Sequence, residues 1–265
     1  MTAGARAAAI GTGLLAGIAA GFFGVGGGLV LIPLLTVYFH LSQHQAHGTS
    51  LAVIGVTALV SLIVYGVFSN VAWGTAAVVG VASLATARYG ARLAARTSSR
   101  GLTRAFAIFL FLVALRLLWH IPTPAWQGFH HDLRAIAVNL ALGLAVGLLS
   151  GYMGVGGGIL AVPAFTLFLG MPQHLAQGTS LAVVLLAAPA GAIEHARHGN
   201  VVGRLVPMLA LGAVLGAPLG SLVAQHLPQI LLVRTFAIFM LVNAAYFWIR
   251  ANRRASSTGK PPLQS

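Results

Sequence analysis

An internal duplication constrains this chain more than any other feature. Gly21-Phe22-Phe23-Gly24-Val25-Gly26-Gly27-Gly28 returns as Gly151-Tyr152-Met153-Gly154-Val155-Gly156-Gly157-Gly158. Gln43-His44-Gln45-Ala46-His47-Gly48-Thr49-Ser50-Leu51-Ala52-Val53 returns as Gln173-His174-Leu175-Ala176-Gln177-Gly178-Thr179-Ser180-Leu181-Ala182-Val183. Both pairs lie 130 positions apart, as do Pro33/Pro163, Asn70/Asn200 and Arg104/Arg234. Residues 13–119 overlie 143–249 without a gap, identical at about a third of positions. In an apolar chain, a duplication of this length points to a membrane transporter made of two structural repeats.

Composition fixes the surroundings. The chain is 58% hydrophobic and 6% charged, with a mean hydropathy of +0.92. A soluble domain carries roughly a quarter charged residues, so water could not solvate this surface. Fifteen basic residues against two acids would suggest a nucleic-acid partner in a soluble protein. Here they cluster in short segments between apolar runs, as topology signals do, and no nucleic-acid partner is expected. With no cysteine there is no disulfide, thiol catalysis or thiolate metal site. The N-terminal run behind Arg6 resembles a signal peptide, but Gly13, Leu14, Gly17 and Gly21 match Gly143, Leu144, Gly147 and Gly151. It is expected to be a retained part of the fold.

The expected organisation is repeat 1 over 1–120, a connection over 121–134, repeat 2 over 135–250 and a polar cytoplasmic tail over 251–265. Each half divides into four apolar segments, at 7–39, 48–68, 72–95 and 103–119, then 135–169, 178–195, 203–225 and 232–250. The first of each is too long for one simple span and is interrupted by Gly-Val-Gly-Gly-Gly, with a proline five residues later. Adjacent glycines each weaken a helix by about 1 kcal/mol relative to alanine, so breaks are predicted at 24–28 and 154–158. Irregular backbone at membrane depth needs protein or a water-filled cavity around it. Each break is thus a discontinuous spanning helix or the tip of a re-entrant hairpin.

Charge placement favours the hairpin. Arg88, Arg92, Arg96, Arg100 and Arg104 lie in and around the connection between the third and fourth segments, and Arg250, Arg253, Arg254 and Lys260 end or follow the last. Both clusters belong in the cytoplasm by the positive-inside rule. They share a side only if the fifth segment turns back. The same count puts Arg6, Arg197 and Arg204 inside and the uncharged 69–73 connection outside. Three true crossings per half then give an all-α polytopic protein of two inverted-topology repeats, with both termini cytoplasmic.

The glycine breaks are the leading site candidates. A helix restarting there presents unpaired N–H groups and the positive end of its dipole, which suits an anion. Gly26, Gly27 and Gly28, with Gly156, Gly157 and Gly158, let a ligand approach the backbone. Gly48-Thr49-Ser50 and Gly178-Thr179-Ser180 are expected to open the next helix, their hydroxyls capping it or donating to an oxyanion. His44 and His174 match across the repeats and are candidates for binding or proton coupling. Glu194, the one acid near a membrane segment, is a second coupling candidate or a local partner of Arg197. No metal site is expected from these histidines, and no nucleotide loop or catalytic set is present, so neither cofactor nor enzyme activity is predicted. Gly13, Gly17 and Gly21, with Gly143, Gly147 and Gly151, read as small-residue packing stripes.

The glycine break, the proline five residues on and the Ala-x-Gly-Thr-Ser-Leu motif, each present twice, make the chain resemble the sulfite exporter TauE/SafE (TSUP) family over about residues 7–250. The resemblance implies a multi-pass inner-membrane permease for a small anion, such as sulfite, a sulfonate, sulfoacetate or thiosulfate, working by alternating access. A passive anion channel is the alternative. The expected partners are that anion and membrane lipid. The halves depart from one another at Ser42 against Pro172 and Gln45 against Leu175, so the two half-sites need not be equivalent.

Overall fold

The computed structural model describes residues 2–96, 99–119, 125–126, 128–129, 132–153 and 157–257, and every regular element among them is an α-helix. The first half contains α1 (Ala3–Phe23), α2 (Gly28–Val37), α3 (Gln43–Val67), α4 (Trp73–Arg96) and α5 (Ser99–Trp119). The second contains α6 (Leu133–Met153), α7 (Gly158–Phe168), α8 (Gln173–Arg197), α9 (Val206–His226) and α10 (Gln229–Ser257). Six of these, α1, α3, α6, α8, α9 and α10, are long and apolar enough to cross a bilayer. Large apolar side chains such as Ile63, Leu112, Val223 and Val242 lie exposed on the outer faces, where only lipid can solvate them. The protein is a multi-pass membrane protein.

Between α1 and α2 the chain reverses. Gly24 caps α1 in the left-handed region at φ 69°, its N–H donating to the Ala20 carbonyl, and Gly26 and Gly27 follow at φ 75° and 82°. A side chain has room for this backbone only rarely, which is why glycines stand here. A Cβ placed on Gly27 would lie 2.8 Å from the Ala16 carbonyl oxygen, so α2 begins beside α1 rather than beyond its end. Leu31, Ile32 and Leu35 of α2 then pack in one cluster with Ala9 and Ala16 of α1. The 10 residues of α2 rise about 15 Å, half a bilayer core. In the second half α6 ends at Met153 and α7 begins at Gly158; Gly156 lies outside the described residues.

Each half lends its first helix to the other. Gly13, Gly17 and Gly21 of α1 face Leu209, Ala213 and Ala217 of α9, and Gly212, Gly216 and Gly220 of α9 face Ile10, Leu14 and Ile18 in return. The indices rise together, so the two helices are parallel. Their backbones nearly touch, since a Cβ on Gly13 would sit 2.0 Å from the Leu209 carbonyl oxygen. α6 meets α4 the same way, Gly143 against Val79 and Gly147 against Ser83. Where lipid is as apolar as leucine, such close approach supplies the packing that holds helices together. On the outside, α5 lies beside α10, with Phe106 against Phe247 at 5.1 Å between ring centroids.

Two boundaries differ from expectation. α3 starts at Gln43 because Ser42 and Gln45 form a capping box, each accepting from the other's backbone N–H. α8 starts correspondingly at Gln173, behind Pro172. Gly48-Thr49-Ser50 and Gly178-Thr179-Ser180 therefore lie in the second turn and do not open their helices. α10 runs on to Ser257, past the expected end of repeat 2 at 250. The expected connection at 121–134 falls partly outside the described residues.

Candidate functional site

The two Gly-Thr-Ser motifs hold the halves together. α3 and α8 lie antiparallel, so the start of each meets the end of the other. A Cβ on Gly48 would come 2.4 Å from the Asn200 carbonyl oxygen, and one on Gly178 2.0 Å from that of Asn70. Behind each glycine a fully buried threonine reaches across. Thr49 Oγ1 accepts from the Val202 N–H and Thr179 Oγ1 from the Ala72 N–H, both at 3.0 Å. These are corresponding bonds, because 72 and 202 also match in the duplication. Each threonine oxygen is occupied as an acceptor, leaving its O–H proton for donation. Ser180 Oγ donates to the Gly158 carbonyl at 3.2 Å, whereas the matching Ser50 Oγ is buried with no partner among the described residues.

Beside this interface the glycine breaks converge. Gly26 faces Ile54 of α3 and Val184 of α8, themselves a matched pair, and Gly158 faces Val25 of the other break, with a Cβ there 2.8 Å from its Cα. No side chain caps α2 or α7. In α2 the N–H groups of Val30 and Leu31 both go to the Gly27 carbonyl, and in α7 those of Leu160 and Ala161 go to Gly157. Among the described residues nothing accepts from Gly28 or Leu29, nor from Gly158 or Ile159. Pro33 and Pro163 each remove a further helical hydrogen bond one turn on. Buried amides at the start of a helix are suited to an anionic or carbonyl oxygen. The breaks are not identical: Gly27 holds φ 82°, whereas Gly157 is right-handed at −64° with its nearest neighbour at 3.7 Å.

A buried polar cluster that sequence reasoning missed lies at the end of α1. Tyr65, with no exposed surface, brings its hydroxyl within 3.0 Å of the Gly21 carbonyl oxygen and 2.9 Å of Gln177 Oε1. One proton cannot serve both. Exchanging the ends of the amide lets Gln177 donate to Tyr65 while Tyr65 donates to Gly21. Either way one polar end of the buried Gln177 amide has no partner among the described residues. Gln177 covers Gly24, the first glycine of the break, and the unpartnered Ser221 hydroxyl lies against Gly21. The signal was in the duplication: Tyr65 matches His195 and Gln177 matches His47, two positions that are polar in both halves. His195 does stand against Gly48 as Tyr65 stands against Gly178, at 2.9 and 3.0 Å from the two Cβ positions.

The remaining candidates stand apart from the breaks. His44 is exposed in the first turn of α3, and His174 is half-buried in that of α8, its Nε2 3.1 Å from the Ala224 carbonyl oxygen. Ten residues, about 15 Å of helix, separate His44 from Ile54 beside the break. Glu194 sits at the exposed end of α8, 3.8 Å from Arg197 and 3.6 Å from His198. Among the described residues no three His, Asp or Glu side chains converge on a point that could hold a metal.

Known proteins match along nearly the whole chain. A probable membrane transporter protein of Xylella fastidiosa (strain Temecula1 / ATCC 700964) is 30% identical over 242 residues, 89% of this chain and 92% of its own length. The probable membrane transporter protein YunE of Bacillus subtilis (strain 168) is 27% identical over 253 residues, 87% of this chain and 92% of its own length. No solved structure matches the chain at a significant level. The family description sulfite exporter TauE/SafE matches residues 2–117 and 139–264, one stretch for each half. With the duplicated glycine breaks and Gly-Thr-Ser turns now placed, the chain belongs to the sulfite exporter TauE/SafE family, whose members are membrane transporters rather than enzymes.

Proposed function

We propose that the protein is a secondary transporter that moves a small sulfur-containing anion, such as sulfite, a sulfonate, sulfoacetate or thiosulfate, across the inner membrane by alternating access. The observation that carries this reading is the pair of uncapped, buried helix starts at Gly28 and Gly158, which meet between α3 and α8. The chain offers two acids and no intramembrane cation cluster, so backbone amides of Gly26, Gly27, Gly28, Gly156, Gly157 and Gly158 supply most of the donors. The hydroxyls of Ser50, Thr49 and Thr179 complete the shell, and Ser180 joins them once its proton leaves the Gly158 carbonyl. Each charge–dipole contact is worth about 0.3–1 kcal/mol when exposed and more in a dry site. The antiparallel arrangement of α3 and α8 supports inverted halves, which exchange conformations to open the site to either side. Arg6, Arg197, Arg204 and the two arginine clusters then face the cytoplasm with both termini.

A thermal-shift panel of sulfur oxyanions and organic acids on purified protein tests the substrate class. Stabilisation by sulfite or a sulfonate, lost in Ser50→Ala and Gly157→Leu, is expected; stabilisation that neither variant changes puts the anion elsewhere. Uptake into liposomes that saturates with anion concentration distinguishes the transporter from a channel. In a chain free of cysteine, Asn70→Cys and Gln127→Cys report the outside and Ser257→Cys the inside. Labelling of Ser257→Cys from the periplasm by an impermeant thiol reagent overturns the topology.

A further inference from the structure

Between α5 and α10 a groove of about 520 Å³ opens onto the lipid-facing surface. Ala107, Ile108 and Phe111 line it from α5, and Leu241, Ala245 and Trp248 from α10. Ile108, Phe111 and Trp248 are each about half exposed, at 48%, 50% and 46%, so the groove is open along its length. From Leu241 to Trp248 it runs about 10 Å along the helix. That is most of the roughly 15 Å hydrocarbon depth of a single leaflet.

One end of the groove is basic. Arg104, one turn along α5 from Ile108, donates to Asn252 Oδ1 at 2.9 Å, and Asn252 lies one turn along α10 from Trp248. Arg100 lies a further turn along α5, and Arg250, Arg253 and Arg254 flank Asn252 in the sequence. No acid lies on either helix; the chain's two are Asp132 and Glu194, and Glu194 meets Arg197 and His198. The positive charge at this end is therefore not balanced from within the helix pair. Trp248 stands between the apolar groove and the arginines, as aromatic residues do at headgroup level.

The duplication sharpens the point. Arg234 matches Arg104 at the opposite end of the same helix pair, and Ala237 and Ile238 match Ala107 and Ile108. There, however, Leu115 stands in place of Ala245 and Leu118 in place of Trp248. The small residue that opens the groove and the amphipathic one at its mouth occur together at the Arg104 end.

We propose that this groove is a binding site for an anionic phospholipid of the leaflet on the Arg104 side, one acyl chain lying along Phe111 and Ala245 and the phosphate meeting Arg104 and Asn252. Arginine near a membrane surface attracts such headgroups, and its stem can follow the groove wall while the guanidinium reaches the phosphate. The site is separate from the glycine breaks, and its test does not depend on what the protein transports.

Delipidated full-length protein in neutral detergent is titrated with phosphatidylglycerol or with phosphatidylcholine of the same chains, following the melting temperature and lipid retained in native mass spectrometry. Phosphatidylglycerol is expected to stabilise the protein and remain bound, and phosphatidylcholine to do neither. Arg104→Gln should lose about fivefold in apparent affinity for phosphatidylglycerol. Ala245→Leu, which copies Leu115, should abolish retention while melting like the wild type in detergent. Independently, brominated phosphatidylglycerol should quench wild-type fluorescence by an amount that disappears in Trp248→Phe, which keeps the proposal testable should Ala245→Leu fail to fold. Equal binding of both lipids, retention unchanged by Ala245→Leu or quenching independent of Trp248 overturns the proposal. So does a concentration-dependent dimer that Ala245→Leu dissociates, which would assign the groove to a second copy.

Discussion

The two ends of the α3/α8 pair share a backbone and differ in chemistry. At one end Gly178 packs on Asn70 and Tyr65, and Tyr65 meets Gln177 and the Gly21 carbonyl. At the other Gly48 packs on Asn200 and His195, and His47 stands where Gln177 does. His195 Nδ1 is buried with no partner among the described residues, while His47 Nε2 lies 2.9 Å from Gln43 Nε2. The reciprocal bonds of Thr49 and Thr179 are the same length at both ends. Duplication has kept the contacts that fix helix position and let the side chains beside them diverge. Of the two matched pairs, only His47 and His195 are imidazoles, the side chain that ordinarily titrates between pH 5 and 8.

The largest expected effect tests the shared backbone. Gly178→Ala and Gly48→Ala each drive a Cβ into a carbonyl oxygen, and each should destabilise by about 3 kcal/mol or more, the upper end of overpacking. Unchanged thermal melts would mean that the helices do not approach this closely. Thr49→Val and Thr179→Val should follow, each leaving a backbone N–H unsatisfied at about 1–3 kcal/mol and weakening anion binding a few-fold or more. Equal losses at the two ends support the symmetric frame; a loss at one end alone breaks it.

The third test separates site from scaffold. Gly157→Leu should remove anion binding at a smaller cost in melting temperature than the matching change at Gly27, since Gly157 has ordinary helical angles and a Cβ there meets Val146 at 3.7 Å, an ordinary contact. Gly27→Leu should unfold the protein, because φ 82° and the Ala16 carbonyl leave no place for a side chain. Next comes the exchange of chemistry between ends. His47→Gln with His195→Tyr copies a pair that already fits at the other end, so the double variant should fold to within about 1 kcal/mol of wild type. Anion binding should rise in the wild type as pH falls, and the double variant should lose most of that rise. Exposed His44 and His198, with Glu194 and Arg197, also face this end, and His174 and His226 lie at the other, so an unchanged profile would assign the response to one of these. Glu194→Gln should do least, changing stability by under about 0.5 kcal/mol as an exposed ion pair does.

Local signals carried much of this into the sequence. Three glycines in a row have one physical outcome in an apolar helix, and the breaks at 24–27 and before Gly158 fall where that argument puts them. The start of α3 was less legible because the apolar run begins at Gly48 while the capping box that starts the helix lies upstream at Ser42 and Gln45. Thr49 was singled out for its hydroxyl, yet what it binds is the Val202 N–H, 153 positions away, and no local pattern encodes that pairing. Tyr65 and Gln177 are further cases. Each alone is one of several polar residues on its helix, and only the packing of α3 on α8 makes them neighbours.

The exchange of first helices has a consequence for how the molecule is made. The glycine stripe of α1 fits α9, and Leu209 is synthesised about 200 residues after Gly13. Until then α1 sits in the bilayer with its narrow face against lipid, its partner still on the ribosome. α6, by contrast, emerges with α4 already inserted and can dock at once. The second half therefore completes the first, and a chain that stops before Val206 would leave α1 in the membrane without the contact that orients it.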